Sequence, residues 1–185
     1  MTNKDLWRIF NQQRLKNLAD ATKQTWSKAI TNNFINWLAK NKQFKKIGLY
    51  ASLKNEVNTT SLISYLLSCK YEVYLPVITN LIKNEMQFSK INRSDYAYEV
   101  AKGIKQPSNK NWIKPDELDV IVVPVTGFNS NKHRIGKGYG YYDKYLKQTN
   151  AIKVGFAFSI TWCFNFEIDI NDVPLNLIIT ESEIK

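Results

Sequence analysis

Apolar residues recur at intervals of three and four through the first forty positions. Leu6, Ile9, Phe10 and Leu18 fall near one side of a first helix, which Thr2 and Asp5 open at capping-box spacing. Trp26, Ile30, Phe34, Trp37 and Leu38 mark a second amphipathic helix. Beyond them the period changes. Short β-type runs follow: KIGLYAS (46–52), YEVYLPVI (71–78), DVIVVPV (119–125), IKVGFAFS (152–159) and LNLIITE (175–181). Helical segments separate them, one from about Asn58 to Cys69 and one running through Tyr145, and a polar, irregular stretch precedes DVIVVPV. Buried-type strands alternating with helices predict an α/β fold. Its mostly parallel central sheet is flanked by helices in a Rossmann-like three-layer architecture.

The pattern has no internal repeat, low-complexity tract or Gly/Ser linker. The most linker-like segment, KNWIKPDELD (110–119), is too short to divide the chain, so residues 1–185 are expected to form one domain. In open sheets of this kind, ligands gather outside the carboxyl ends of the strands. The polar loops after YAS and after VIVVPVTGF both lie at that rim.

Composition adds a charge. Lys and Arg number 26 against 16 Asp and Glu, a net +10 that favours polyanions: phosphate groups, nucleic acid or acidic lipid. The lysines are scattered, so much of this excess is equally well a solvated surface. With only Cys69 and Cys163 and a single histidine, neither a disulfide framework nor a Cys/His zinc site is expected; both thiols are predicted reduced and buried. The opening residues carry no apolar signal-peptide core, and no run approaches the roughly eighteen apolar residues of a membrane span. A cytoplasmic protein is the expectation.

The densest chemistry lies in RIGKGYGYYD (134–143). Gly136, Gly138 and Gly140 let backbone N–H groups approach a phosphate, and a helix starting near Tyr141 adds a favourable field. The spacing is neither a Walker A loop nor GxGxxG, and a bare GxGxG serves a close-packed turn equally well. Arg134 and Lys137 supply cations, and Asp143 supplies an oxygen ligand of the kind Mg²⁺ takes. Lys4 and Arg8, one helical turn apart, form a second basic pair whose mutual repulsion a bound phosphate would reverse. Asp172, in NDVP, is a further carboxylate and also an ordinary turn residue.

Together these segments resemble the 5-formyltetrahydrofolate cyclo-ligase (5,10-methenyltetrahydrofolate synthetase) family over nearly the whole chain. The family's Lys-x-x-x-Arg is met by KDLWR (4–8), with Arg14 as a further basic position. Its strand and small-residue loop with a glutamate is met by YASLKNEVNTTSLI (50–63), with Glu56 in the glutamate's place. Arg-aliphatic-Gly-x-Gly-x-Gly-Tyr-Tyr-Asp is met residue for residue at 134–143, and the ending Asp-Val-Pro-x-Asp before a strand is approached by DVPLNLIITE (172–181). The resemblance implies ATP- and Mg²⁺-dependent closure of 5-formyltetrahydrofolate to 5,10-methenyltetrahydrofolate, with release of ADP and phosphate and phosphorylation of the formyl oxygen.

Carried over by position, Lys4, Arg8 and residues 134–142 would hold ATP, and Asp143 with Asp172 would bind Mg²⁺. Glu56 and Ala51 would face the folate, as would Arg8. Lys137, Gly138, Tyr139, Gly140 and Tyr141 would line the contact between the substrates, and Arg134, Lys137 and Asp143 would carry catalysis. The folate, with or without a polyglutamate tail, is the expected partner of a monomer, with no nucleic acid or membrane. Three departures stand out. GIKQP (103–107) carries Gln106 where the family often has glutamate, Asn176 replaces the second aspartate of the last motif, and 159–169 lacks the family's pattern. His133 is assigned no role.

Two other readings stay open on the residues alone. Ten tyrosines and five tryptophans among basic residues suit single-stranded RNA. A sugar-phosphate or acyl-transfer enzyme on a related scaffold could use a similar glycine loop, with no need of ATP or of the N-terminal cations.

Overall fold

A computed structural model describes residues 2–93, 98–101 and 103–185. In chain order the elements are α1 (Asn3–Asn17), α2 (Asp20–Ala39), β1 (Lys46–Gly48), α3 (Thr60–Ser68), β2 (Glu72–Asn80) and β3 (Glu85–Ile91). Then come β4 (Tyr98–Ala101), β5 (Ile104–Pro107), β6 (Trp112–Ile113), β7 (Val120–Pro124), β8 (Gly127–Phe128) and β9 (Arg134–Ile135). α4 (Tyr141–Leu146), β10 (Ile152–Phe156) and β11 (Leu177–Ile179) complete the order. Seven strands form one sheet in the order β11-β10-β7-β1-β2-β3-β6; the ladders from β11 to β2 are parallel, and those of β2–β3 and β3–β6 are antiparallel. The expected α/β architecture with a mostly parallel sheet is present.

Strand alternation divides the apolar side chains between two layers. Val120 and Val122 of β7 join Ile47, Val73 and Phe156 in a cluster with Ile30, Phe34 and Leu38 of α2 and Leu62 and Leu66 of α3. Ile121 and Val123, one residue out of step, join Phe88 and Ile178 with Tyr145 and Leu146 of α4 on the other side. Covered on both faces, β7 has to be a continuous apolar run, which is why VIVVP reads as it does. Trp26 and Trp37 pack against the α2 side of this core.

Several expectations are corrected. The polar stretch before β7 contains β3 to β6; β3 places Met86 and Phe88 inward while Gln87 is exposed, the mark of a strand with only one face on the core. The strands foreseen at 46–52 and 175–181 are shorter, because ladder hydrogen bonds stop once the chain turns into the loops at the rim. On α1 the capping box is present, but Leu6, Ile9 and Phe10 are about half exposed and the buried residues are Asn11 and Leu15. Cys163 is buried as foreseen, whereas Cys69 is exposed as the C-cap of α3. Among the described residues no helix is long and apolar enough to cross a membrane.

β1 lies between β2 and β7, so the chain builds outward from β1 to one side and returns to build on the other. Loops leaving the carboxyl ends of β1 and β7 therefore diverge and open a crevice at this switch point. The start of the pair is stapled by Asp119, whose Oδ2 accepts from the backbone N–H of Lys45 at 2.7 Å and of Lys46 at 2.8 Å. Gly155 of β10 is packed without slack: a Cβ there would meet Leu175 Cδ1 at 2.6 Å and Val125 Cγ2 at 2.9 Å. Gly155→Ala is expected to lower unfolding free energy by about 1–3 kcal/mol in urea titrations, as overpacking does; an unchanged midpoint would show that the site yields.

Candidate active site

A cleft of about 860 Å³ opens at the switch point. The candidate site residues line it except Ile135: Lys4 and Arg8 from α1, Ala51 and Glu56 after β1, Arg134 with Gly136–Asp143, and Asp172; the further basic position Arg14 does not. The opposite wall went unforeseen. It is made by Pro76, Ile78 and Met86 of the β2–β3 hairpin with Ile104 and Gln106 of β5. Pro76 and Ile78 lie in the strand foreseen at 71–78, but Met86, Ile104 and Gln106 lie in polar, irregular sequence whose pairing only the folded chain reveals.

The glycines answer to geometry. Gly138 and Gly140 take φ of +94° and +75°, values an L side chain rarely adopts, and Gly140 is the N-cap of α4. Gly136 is not among the positive-φ glycines, but a Cβ on it would lie 2.7 Å from Arg134 Nη1. Arg8 Nε donates to the Gly136 carbonyl at 2.8 Å, so α1 is tied directly to the glycine segment.

Each candidate cation in the cleft faces an acid, mostly across segments. Lys4 Nζ reaches both oxygens of Asp172 at 2.5 Å. Arg134, whose side chain is only 4% exposed, donates through Nη2 to Asp143 Oδ1 at 2.8 Å while its Nε has no partner. Lys137 Nζ lies 2.8 Å from Glu56 Oε1, and Glu56 Oε2 accepts from Leu53 N at 2.8 Å. Arg8 also pairs with Asp5, one turn away. The repulsion expected between Lys4 and Arg8 is thus met by acids before any ligand arrives.

Two tyrosines stand behind Glu56. Burial, and then the Glu56 charge, push the hydroxyl of Tyr50 well above its usual range; its O–H donates to Val57 O at 3.0 Å. The same two causes raise Tyr142, with Arg134 opposing. Tyr139 is 54% exposed, and its ring lies 6.2 Å from that of Tyr141.

The departures from the family pattern find places. Asn176 Oδ1 accepts from Lys153 N at 2.8 Å, a staple between β10 and β11 outside the cleft. The 159–169 segment docks α1: Arg14 donates to Ile160 O at 2.8 Å, Asn11 to Thr161 O at 3.0 Å and Trp7 to Asn165 O at 2.8 Å. Among the described residues no three His, Cys, Asp or Glu side chains gather as a metal cluster. A divalent cation held by Asp143 and Asp172 would need further oxygens from a ligand or water, the usual situation of Mg²⁺ beside phosphates. The buried Arg134 Nε and the side-chain-free glycine backbone suit an anion at the same place.

The model of the 5-formyltetrahydrofolate cyclo-ligase family matches residues 1–181. Among curated proteins, the 5-formyltetrahydrofolate cyclo-ligase of Mycoplasma genitalium is 30% identical across 97% of this chain and 98% of its own. That of Haemophilus influenzae is 29% identical across 86% and 87%. Among solved structures, the 5,10-methenyltetrahydrofolate synthetases of Aquifex aeolicus and Mycoplasma pneumoniae superpose with TM-scores of 0.86 and 0.81 at 28% and 26% identity. They cover 98% and 97% of this chain and 91% and 99% of theirs.

Tyr50 and Tyr142 are held neutral in the fold, so above about pH 10 the unfolded chain sheds phenolic protons that the folded chain keeps, and stability falls as pH rises. Tyr142→Phe removes one such proton. Its unfolding free energy should decline less steeply than the parent's between about pH 10 and 11.5; identical slopes would mean that Tyr142 ionises as an ordinary phenol.

Proposed function

The chain belongs to the 5-formyltetrahydrofolate cyclo-ligase family, and on that premise we propose that this ligase cyclises 5-formyltetrahydrofolate to 5,10-methenyltetrahydrofolate, using ATP and Mg²⁺ and releasing ADP and phosphate. The observation that carries the reading is that the glycine segment meets the α1 cations and Glu56 in a single cleft.

The phosphate end belongs with Lys4, Arg8, Arg134 and the backbone of 136–140. Arg134 is fixed by Asp143 and packed with its guanidinium 5.7 Å from the Tyr142 ring centre, so its orientation needs little rearrangement as charge develops. Lys4 would exchange Asp172 for a phosphate, freeing that carboxylate beside Asp143 for the metal. Mg²⁺, when bound, neutralises charge on the transferring phosphoryl oxygens.

The folate belongs toward Glu56, Ala51 and the apolar wall of Pro76, Ile78, Met86 and Ile104. Glu56 is held by Lys137 and Leu53 N. An acceptor of fixed direction suits the formyl-bearing ring, and in this reading Lys137 lies between the two substrates. Transfer of the γ-phosphoryl group to the formyl oxygen makes a good leaving group of that oxygen; the second folate nitrogen then bonds to the formyl carbon, and phosphate departs. No protein nucleophile is required, in keeping with a site built from cations, carboxylates and bare backbone. The net charge of +10 suits a polyglutamate tail as well.

Purified protein with 5-formyltetrahydrofolate, ATP and Mg²⁺ is expected to generate the near-ultraviolet absorbance of the methenyl product. Folded protein giving none would refute the proposal. Asp143→Asn is expected to reduce kcat by about 100-fold, with partial recovery at raised Mg²⁺; an undiminished rate would remove Asp143 from the site.

A further inference from the structure

β4 and β5 stand apart from the main sheet as a ribbon of two four-residue strands. Tyr98, Glu99 and Val100 of β4 are exposed, while Ile104 and Gln106 of β5 line the cleft. A lone ribbon of this size is not stable in water, so something must hold it against the body. Gln106 is only 3% exposed, and its amide is used at both ends. Its Oε1 accepts from the backbone N–H of Ile78 on β2 at 2.9 Å, and its Nε2 donates to Oε1 of Glu99, its cross-strand partner, at 2.7 Å. The same Glu99 oxygen accepts from Lys110 Nζ at 2.8 Å. That ion pair is nearly half exposed and contributes little by itself; the buried amide is the firmer anchor.

We propose that Gln106 is a positioning residue, which clamps the β4–β5 ribbon to β2 as the wall of the cleft that the folate contacts, and that it works only as a matched couple with Glu99. This rests on the folate reading of the cleft. The site asks for one group that accepts from a backbone N–H and donates to a carboxylate, and an amide does both. A carboxylate at 106, which the family often carries, would still accept from Ile78 N but would face Glu99 with no proton between them. Glu99 thus supplies the acceptor that an amide at 106 needs.

Gln106→Glu, Glu99→Gln and the double exchange test this by steady-state kinetics and by hydrogen exchange of the β4 and β5 amides. Gln106→Glu is expected to raise KM for 5-formyltetrahydrofolate about fivefold or more, with kcat and KM for ATP within about twofold, because a displaced wall weakens folate binding alone. It should also speed amide exchange in the ribbon. The double exchange restores a donor–acceptor couple and should bring both quantities back toward the parent values. An unchanged KM and exchange rate in Gln106→Glu, a uniform loss across all kinetic constants, or failure of the double exchange to recover would overturn the proposal. Exchange is read without substrate. If the parent forms no product, ribbon protection lost in Gln106→Glu and regained in the double exchange supports the clamp while the folate reading falls; unaltered protection overturns the clamp as well.

Discussion

The backbone at Gly136 is held between two arginines. Arg8 donates to its carbonyl from α1, and the Arg134 guanidinium occupies the space that a side chain at 136 would need. Much else depends on this contact. It brings α1, whose outer apolar face is half exposed, onto a segment that follows β9, and it sets the path of the chain through Gly138 and Gly140 into α4. The 159–169 segment completes the seat by accepting from Trp7, Asn11 and Arg14. α1 is therefore oriented mainly by directional polar contacts, and its first two turns deliver Lys4 and Arg8 to the rim.

Charge arranged this way has a cost that the pairs offset. A partly buried cation without a partner is destabilising, whereas one facing a carboxylate is tolerable. Lys4 with Asp172, Arg134 with Asp143 and Lys137 with Glu56 each follow that rule, with one member buried or nearly so. The same arrangement would suit the phosphates of the proposed reaction. Under the proposed function Arg134, already desolvated and oriented, would need little reorganisation to meet an anion, and carboxylates released by the cations would become oxygen donors for a metal. Stability of the empty cleft and chemistry in the filled one draw on the same pairs.

The layered core was readable because strands buried on both faces leave an unbroken apolar run, as VIVVP does, and because α2 keeps Ile30, Phe34 and Leu38 on one stripe. That the glycine segment and the α1 cations line one cleft was readable less from the glycine spacing, which suits a turn equally well, than from the family resemblance that gave the segment its limits. What escaped is instructive. β3 to β6 are short or polar-faced, and their pairing is decided by tertiary partners such as Phe88, not by local periodicity. The apolar stripe of α1 pointed to the wrong face, since Asn11 is buried there by hydrogen bonds to Thr161 and Cys163 that no pattern of hydrophobicity encodes. Gln106 looked like a lost charge until Glu99 and Ile78 were seen on either side of it.

We propose that α1 and the glycine segment form one anion site through Arg8. Calorimetric titration of ATP with Mg²⁺, without folate, into the parent protein and Arg8→Ala measures it directly. Binding weakened by about tenfold or more in the variant, roughly 1.4 kcal/mol, is the predicted result; equal affinity in the two folded proteins would contradict it.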